Sequence, residues 1–429
     1  MKIAVISDLH LGAKWGTERE QDSFEQAREA FERALELGAQ LILIPGDIFE
    51  LRIPRQEMWA KAMRILSLPL AKEKSNLELI DTIDKNPDDI SPVALRGVPV
   101  VAIHGNHERR STGLVNPVQA LEAAGLLMYL HHNTLVFETP SGKIAVHGMS
   151  NVPERHARDV LNTWNPKPVK GAFNILMLHQ SLGQYVFSDE EHPTIDVGDL
   201  PQGFDLYLCG HMHYHEEAKV HGSPLLFPGS TIRTQLLPVE AERAKGFYML
   251  ELGEKISWKF VELQSVRDFF YEEKTFDGAS ISQLNTWVRS RVQELLEKPR
   301  RNPNKAPLIR FRLKGSLAKD TSRSEFDTEA LEEEFLGKAI VKISKSELTA
   351  PGLEEKIRFL RELREQRLSI EDMAMELLDS NLREIGYDQI FDARALYGLL
   401  VEEKIDDALD RVLKTVDKLS ESELGRHGS

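Results

Sequence analysis

Five short motifs carry side chains that can bind metals: Asp8-Leu9-His10, Gly46-Asp47, Gly105-Asn106-His107-Glu108, His179-Gln180 and Gly210-His211-Met212-His213. Two aspartates, an asparagine and several histidines, with no cysteine among them, make a donor set for hard or borderline divalent cations. Such a set suits hydrolysis of a phosphodiester, whose negative charge repels an attacking hydroxide. Two metals roughly 3.5–4 Å apart lower the pKa of a water and neutralise charge on the phosphate oxygens. One carboxylate must then bridge the metals, and Asp47 is suited to that by its place directly after a strand. Asp8, His10 and His213 would serve one metal, and Asn106, His179 and His211 the other. His107 is left without a metal. As a cation it would stabilise the transition state and protonate the leaving oxygen.

Each motif follows an apolar run that reads as a strand: IAVIS, LILIP, VVAIH, FNILML and FDLYLC. Strand ends on one edge of a sheet converge, so side chains some 200 positions apart can meet. A single histidine is more often a hydrogen-bonded core or surface residue; five motifs in this order, each after a strand, argue for a site. The remaining histidines read more plainly. His104 faces away from the metal edge and is structural. His147 has a minor claim to line the site. His215 and His221 would stand behind the ligands, and His131-His132 forms a surface turn. Cys209 is a small buried apolar residue. Arg52, Arg55, Arg109 and Arg110 lie close in sequence to Asp47 and His107 and suit contacts to a phosphate backbone. Solvated surface charge is the even alternative for each.

At 429 residues the chain is too long for one ordinary core, so two or three domains are expected. A hydrophobic content of 41% with 28% charged residues fits a water-soluble chain, and no apolar run of about 18 residues suggests a membrane span. The first strand follows Met1 directly, leaving no room for a signal peptide. A single cysteine excludes an internal disulfide and points to a cytoplasmic location. The net charge of −14 argues against a wholly basic nucleic-acid binder. Residues 354–429 hold 19 acidic and 12 basic residues, so much of that acidity is remote from the motifs.

Residues 1–265 alternate strand-like and helix-like segments, which favours an α/β layered fold. The first helix starts near Asp22-Ser23, with Gln26 as the capping-box partner of Ser23, and stops at Gly38. Four later runs, KIAVHGM, PLLFPGS, GFYMLEL and SWKFVEL, suggest a second, partly antiparallel sheet on the first. Residues 70–96 are polar and read as a surface insertion. Residues 266–350 follow a β-α-β-α-β pattern, a small α+β domain with a basic loop at 299–305. Residues 353–419 are amphipathic helices whose stripes, Leu353/Ile357/Leu360 and Leu409/Val412/Val416 among them, need a partner surface. The tail 420–429 reads as disordered.

The segments DLHLG, GDIFE, GNHE, LHQ and GHMH resemble the calcineurin-like metallophosphoesterases. Ser7-Asp8-Leu9-His10-Leu11-Gly12, Leu178-His179-Gln180, GDLP at 198–201, GSPLLFPGS at 222–230 and Lys245-Gly246-Phe247-Tyr248 narrow the resemblance. It is to the meiotic recombination eleven nuclease family of archaea and eukaryotes and its bacterial counterpart SbcD. It covers residues 1–265, where all seven ligand positions and His107 are present; Glu108 stands where many relatives have Asp. The resemblance implies a β-sandwich flanked by helices. It also implies an exo- and endonuclease of the archaeal type that uses two manganese ions per chain, or magnesium, on double-strand ends and single-stranded DNA. By pattern only, 266–350 is similar to that family's capping domain. In the same way, 351–429 is similar to its segment for a coiled-coil ABC-type ATPase. Family members dimerise through two helices, here 55–66 and 116–125, with Met58, Met63, Ile65, Leu66, Val118 and Leu121 as the apolar surface. The 70–96 insertion is longer than the family leads one to expect. Two other functions compete: a phosphoesterase of the same superfamily acting on nucleotides or phosphoproteins, and a DNA-end scaffold with weak nuclease activity.

Overall fold

In the computed structural model the described residues are 1–349, except 112, 187–191, 254 and 320, together with 375, 395, 397, 399, 405 and 407–414. They form two compact units. One comprises residues 1–273, 288–312 and 328–344; the other comprises 274–287, 313–327 and the described residues from 345 onward.

The first unit is built on two sheets. One has six strands in the order Ile256–Glu262, Gly246–Leu252, Lys2–Val5, Leu41–Ile44, Val100–Ala102 and Met128–Tyr129. The last four run parallel, and Gly246–Leu252 joins antiparallel with Lys2 opposite Glu251. The other has seven: Glu216–Val220, Ser223–Phe227, Leu206–Gly210, Ala172–His179, Gly142–Met149, Asn133–Thr139 and Glu78–Ile83. Val5, Leu43 and Val101 of the first sheet share a core with Phe137, Val146, Met177 and Leu208 of the second. Ala4, Ile42, Ile44 and Ala102, on the alternate positions, pack against helices Asp22–Glu36, Gln56–Leu66 and Pro117–Ala123. Leu176, Leu178 and Tyr207 meet Ala157 and Leu161 of helix Glu154–Trp164. The result is a helix–sheet–sheet–helix sandwich. Its central strands are covered on both faces, which is why they read as unbroken apolar runs instead of alternating ones.

Several expectations need correction. The strands that carry the motifs belong to both sheets: those before Asp8, Asp47 and Asn106 to the first, those before His179 and His211 to the second. The runs GFYMLEL and SWKFVEL extend the first sheet, since Gly246–Leu252 pairs with Lys2–Val5. The 70–96 segment is more than a surface insertion. Glu78–Ile83 adds an edge strand against Asn133–Thr139, and Leu77, Ile90 and Ala94 are buried in the core between the sheets. The helix Asp22–Glu36 has Gln21 as N-cap with no side-chain cap; the Ser23 hydroxyl instead accepts the Gly12 amide at 3.2 Å. A tertiary partner outcompeted the local capping box. Met58, Ile65, Leu66, Val118 and Leu121 are all buried in the core, so of the apolar residues expected at a dimer contact only Met63 is exposed.

Beyond residue 265 the order is Phe269–Ala279, Ile281–Glu297, Leu308–Leu317, Thr328–Glu333 and Ile340–Thr349, that is β-α-β-α-β. The three strands form a sheet with Leu308–Leu317 in the middle. The expected stripes of 353–419 and the tail fall outside the described residues, apart from isolated positions. Ile405 and Leu409 among these are exposed. Among the described residues no helix is long and apolar enough to cross a membrane.

Candidate metal centre

The turns after five strands bring the motif side chains together. Asp8, His10 and His213 lie close enough to hold one cation, as do Asp8, Asp47 and His179. Asn106 gathers the others: its Oδ1 is 3.2 Å from His179 Nε2 and 3.1 Å from His211 Nδ1. The backbone is unusual at the same places. Asp8, His10, Asp47 and His211 all have positive φ, a conformation few non-glycine residues adopt. Strain of this kind persists where surrounding structure fixes it, and it clusters at functional sites. Two glycines make room. A Cβ on Gly105 would fall 1.9 Å from Asp47 Oδ1, and one on Gly46 would fall 2.2 Å from His179 Nδ1.

Hydrogen bonds around the rim set the imidazoles. His179 Nδ1 donates to the Pro45 carbonyl at 2.7 Å, which leaves Nε2 turned inward. His10 Nδ1 donates to Glu50 at 2.8 Å, and His213 Nδ1 lies 2.7 Å from the Thr234 hydroxyl. Partners of this sort fix ring orientation and tautomer at metal sites. The Nε2 atoms of His10 and His213 then face one another at 2.9 Å. Opposed lone pairs repel, and a cation that accepts both relieves the repulsion.

Asp47 is the informative residue. Its Oδ1 accepts the His107 amide at 3.1 Å, while Oδ2 is buried with no hydrogen-bond partner. That orphan oxygen lies 3.8 Å from His10 Nε2 and 3.4 Å from His179 Nε2. Burial works to raise the pKa of this carboxyl, but His179 and His10 overcome it and hold it far below the usual carboxylate range. Conversely, burial depresses His179, yet Asp47 and Asp8 push it up to about 9. Asp47 thus calls for positive charge beside it, which a divalent cation satisfies, since bound metals displace protons from their ligands. An unsatisfied buried oxygen, converging imidazoles and a donor set without sulfur all fit a divalent-metal site.

His107 is half-buried. Its Nδ1 donates to the Glu50 carbonyl at 2.8 Å, and the ring meets His10 edge-on with centroids 4.9 Å apart. His10, Asp47 and His107 also form a compact group, so its position permits either a metal-binding or a substrate-facing role. Arg109 donates to Asn151 Oδ1 at 2.7 Å, and Asn151 in turn donates to the His179 carbonyl at 2.9 Å. Arg110 reaches the Arg52 carbonyl at 3.4 Å. Arg52 and Arg55 are exposed, and Arg55 is the N-cap of helix Gln56–Leu66.

The other histidines lie elsewhere. His104 is buried beneath the site, 2.6 Å from the Tyr129 hydroxyl. His147 is turned into the second sheet, bonded to Thr134 at 2.8 Å and Asn174 at 3.2 Å, and does not line the site. His215 and His221 bond the Ala244 and Leu200 carbonyls. His131 and His132 are half-buried, with ring centroids 3.8 Å apart and planes tilted by 35°, instead of forming an exposed turn. Cys209 is buried; its thiol donates to the Gln180 carbonyl at 3.2 Å, and burial pushes its pKa up to about 12. The roles not anticipated are those of Glu50, Thr234 and Glu108. Glu108 ties two motif loops by accepting the Phe49 amide at 2.9 Å and the Gly105 amide at 3.0 Å. Glu50, three residues after Asp47, could have been found from its place in the GDIFE motif; Thr234 carries no signal in the sequence.

The family model for calcineurin-like phosphoesterases matches residues 1–215. The chain belongs to this family. It is 29% identical over 293 residues to the DNA double-strand break repair protein Mre11 of Methanopyrus kandleri, covering 62% of this chain and 58% of that protein. It is likewise 29% identical over 291 residues to the double-strand break repair protein MRE11 of Encephalitozoon cuniculi, covering 62% and 48%. With the double-strand break repair protein mre-11 of Caenorhabditis elegans the figures are 25% over 371 residues, covering 73% and 50%. The chain thus spans about half the length of these relatives.

Proposed function

We propose that this calcineurin-like phosphoesterase is a DNA nuclease using two manganese ions per chain, with exo- and endonuclease activity on the ends of double-strand breaks. The observation that carries the reading is the orphaned, buried Asp47 Oδ2, set between His10 and His179. Asp47 would touch both metals, Asp8, His10 and His213 would hold one, and Asn106, His179 and His211 the other. Metals bound there supply a water of lowered pKa and offset charge on the phosphate. The chain's own groups do the rest. Glu50 and Pro45 keep the His10 and His179 rings aimed inward. His107, oriented by the Glu50 carbonyl, protonates the leaving oxygen. Arg52, Arg55, Arg109 and Arg110 hold backbone phosphates beside the site. The names of the relatives, all double-strand break repair proteins, favour DNA as the substrate.

In the same reading, residues 1–265 are the nuclease domain, 266–350 a capping domain and 351–429 the docking segment for a coiled-coil ABC-type ATPase. The nuclease acts as a homodimer. Its contact is formed by exposed Leu51, Ile53, Met63, Leu114 and Val115 near the two helices, in place of the residues now found in the core. The test is cleavage of single-stranded and double-stranded ends with manganese or magnesium, with and without the ATPase. Manganese-dependent cutting of DNA is expected. Turnover of a bis-phosphodiester nucleotide with no cutting of DNA would replace this reading with a nucleotide phosphoesterase.

A further inference from the structure

Arg233, Arg301 and residues 241–245, 262–264 and 266–269 wall a cavity of about 210 Å³, outside the candidate metal centre, and its charged lining is Arg233, Arg243, Lys245, Arg267 and Arg301 with Glu242, Glu262 and Asp268. Four buried or nearly buried cations, Arg19, Arg233, Lys245 and Arg267, share two buried carboxylates, Asp22 and Glu240. Arg267 Nε donates to both Asp22 oxygens, at 3.0 and 2.8 Å, and Arg19 Nε reaches the same carboxylate at 3.4 Å. Lys245 Nζ lies 2.8 Å from Glu240 Oε1, and Glu240 Oε2 accepts the Leu236 amide at 2.7 Å. The exposed cations at the mouth have partners of their own, Arg243 with Glu216 at 3.1 Å and Arg301 with Glu262.

Arg233 is left over. It is 9% exposed, its Nε is buried with no hydrogen-bond partner, and Nη1 donates only to the Arg243 carbonyl at 3.3 Å. Among the described residues no carboxylate lies within ion-pair distance of it. The Phe269 ring, 5.7 Å away, offers its face but no charge. Burial, opposed only in part by Glu240 and Asp268, lowers this guanidinium to about 10. A buried cation without a partner is costly unless an anion meets it. A buried guanidinium that lines a cavity and lacks an ion-pair partner suits a tetrahedral oxyanion, which its planar fork can engage through two parallel hydrogen bonds.

We propose that this cavity is a second phosphate site, in which Arg233 anchors a phosphate group and Arg243 and Arg301 close over it from the mouth. The wall of the site is continuous with the metal centre. Thr234, next to Arg233, bonds His213, and Lys245 donates to the His213 carbonyl at 2.6 Å. The same chemistry is offered by free phosphate and by a backbone phosphate of DNA.

The manganese-loaded full chain is titrated with inorganic phosphate by calorimetry, wild type beside Arg233→Gln. Arg233→Gln should weaken one binding event about tenfold or more, the size of a lost charge-assisted pair. It should not lower the melting temperature in the absence of phosphate, because it removes an unpaired buried charge. A double variant, Arg243→Gln with Arg301→Gln, probes the mouth without touching the buried guanidinium and should weaken the same event. A duplex oligonucleotide measured across salt concentrations separates the sources. A salt slope reduced by about 1 in Arg233→Gln assigns a backbone phosphate. An unchanged slope, with inorganic phosphate binding lost, assigns the free anion. Unaltered phosphate affinity in both variants overturns the proposal, and so does a wild-type chain that binds no phosphate. Neither result bears on the nuclease reading, since Arg233 lies outside that site.

Discussion

At the scale of single residues, the candidate ligands were legible because each sits in a short motif directly after an apolar strand. What the sequence could not show is how the rings are aimed. Glu50, Thr234 and the Pro45 carbonyl act only through tertiary placement, and no local pattern marks a carbonyl as a hydrogen-bond acceptor. His107 is the residue whose role needs chemistry to decide, because its position allows two. Under the proposed assignment His107→Ser retains both metals and loses roughly 10²–10⁴-fold in cleavage rate, the range of a general-acid contribution. Metal analysis of the purified variant beside its single-turnover rate separates the roles. A fall in metal content that matches the fall in rate would make His107 a ligand.

At the scale of elements, periodicity identified which residues share a face but not what covers that face. Met58, Ile65 and Leu66 were expected at a subunit contact, yet their own sheet buries them. The strand Gly246–Leu252 was expected in the second sheet, but its pairing partner is the N-terminal strand, more than 240 residues away in sequence. Burial within the second sheet has a consequence for stability. Burial, opposed by the Asn174 hydrogen bond, lowers His147 from 6.5 to about 4. In the folded chain the ring therefore stays neutral where the unfolded chain binds a proton. The stability this contributes is complete above about pH 6.5 and is lost as pH falls from there towards 4. Each pH unit in that window costs about 1.4 kcal/mol. His147→Gln should flatten the fall of stability between pH 6.5 and 4.5 in urea unfolding. A variant whose acid sensitivity equals that of wild type would show that His147 is not kept neutral by the fold.

At the scale of the whole molecule, the β-α-β-α-β order beyond residue 265 was readable from strand and helix patterns. Partner surfaces were not, since an amphipathic stripe looks the same whether it meets its own chain or another. The proposed homodimer rests on exposed apolar side chains, of which Ile53 at 71% is the most open. Ile53→Asp should convert a dimer to a monomer in light scattering at micromolar concentration while leaving the fold intact; unchanged mass would place the contact elsewhere. Deleting the residues after Pro351 should leave manganese-dependent cleavage intact and abolish binding to the ATPase. Full-affinity co-purification of the truncated chain with the ATPase would remove that role from the C-terminal segment. The central claim is a pair of metals joined by one carboxylate. The most direct measurement is the number of manganese ions bound per chain in wild type and in Asp47→Ala, by equilibrium titration of the full chain. The account predicts two in wild type, with most of the metal and all hydrolysis lost in the variant. Two ions still bound per chain in Asp47→Ala would contradict it.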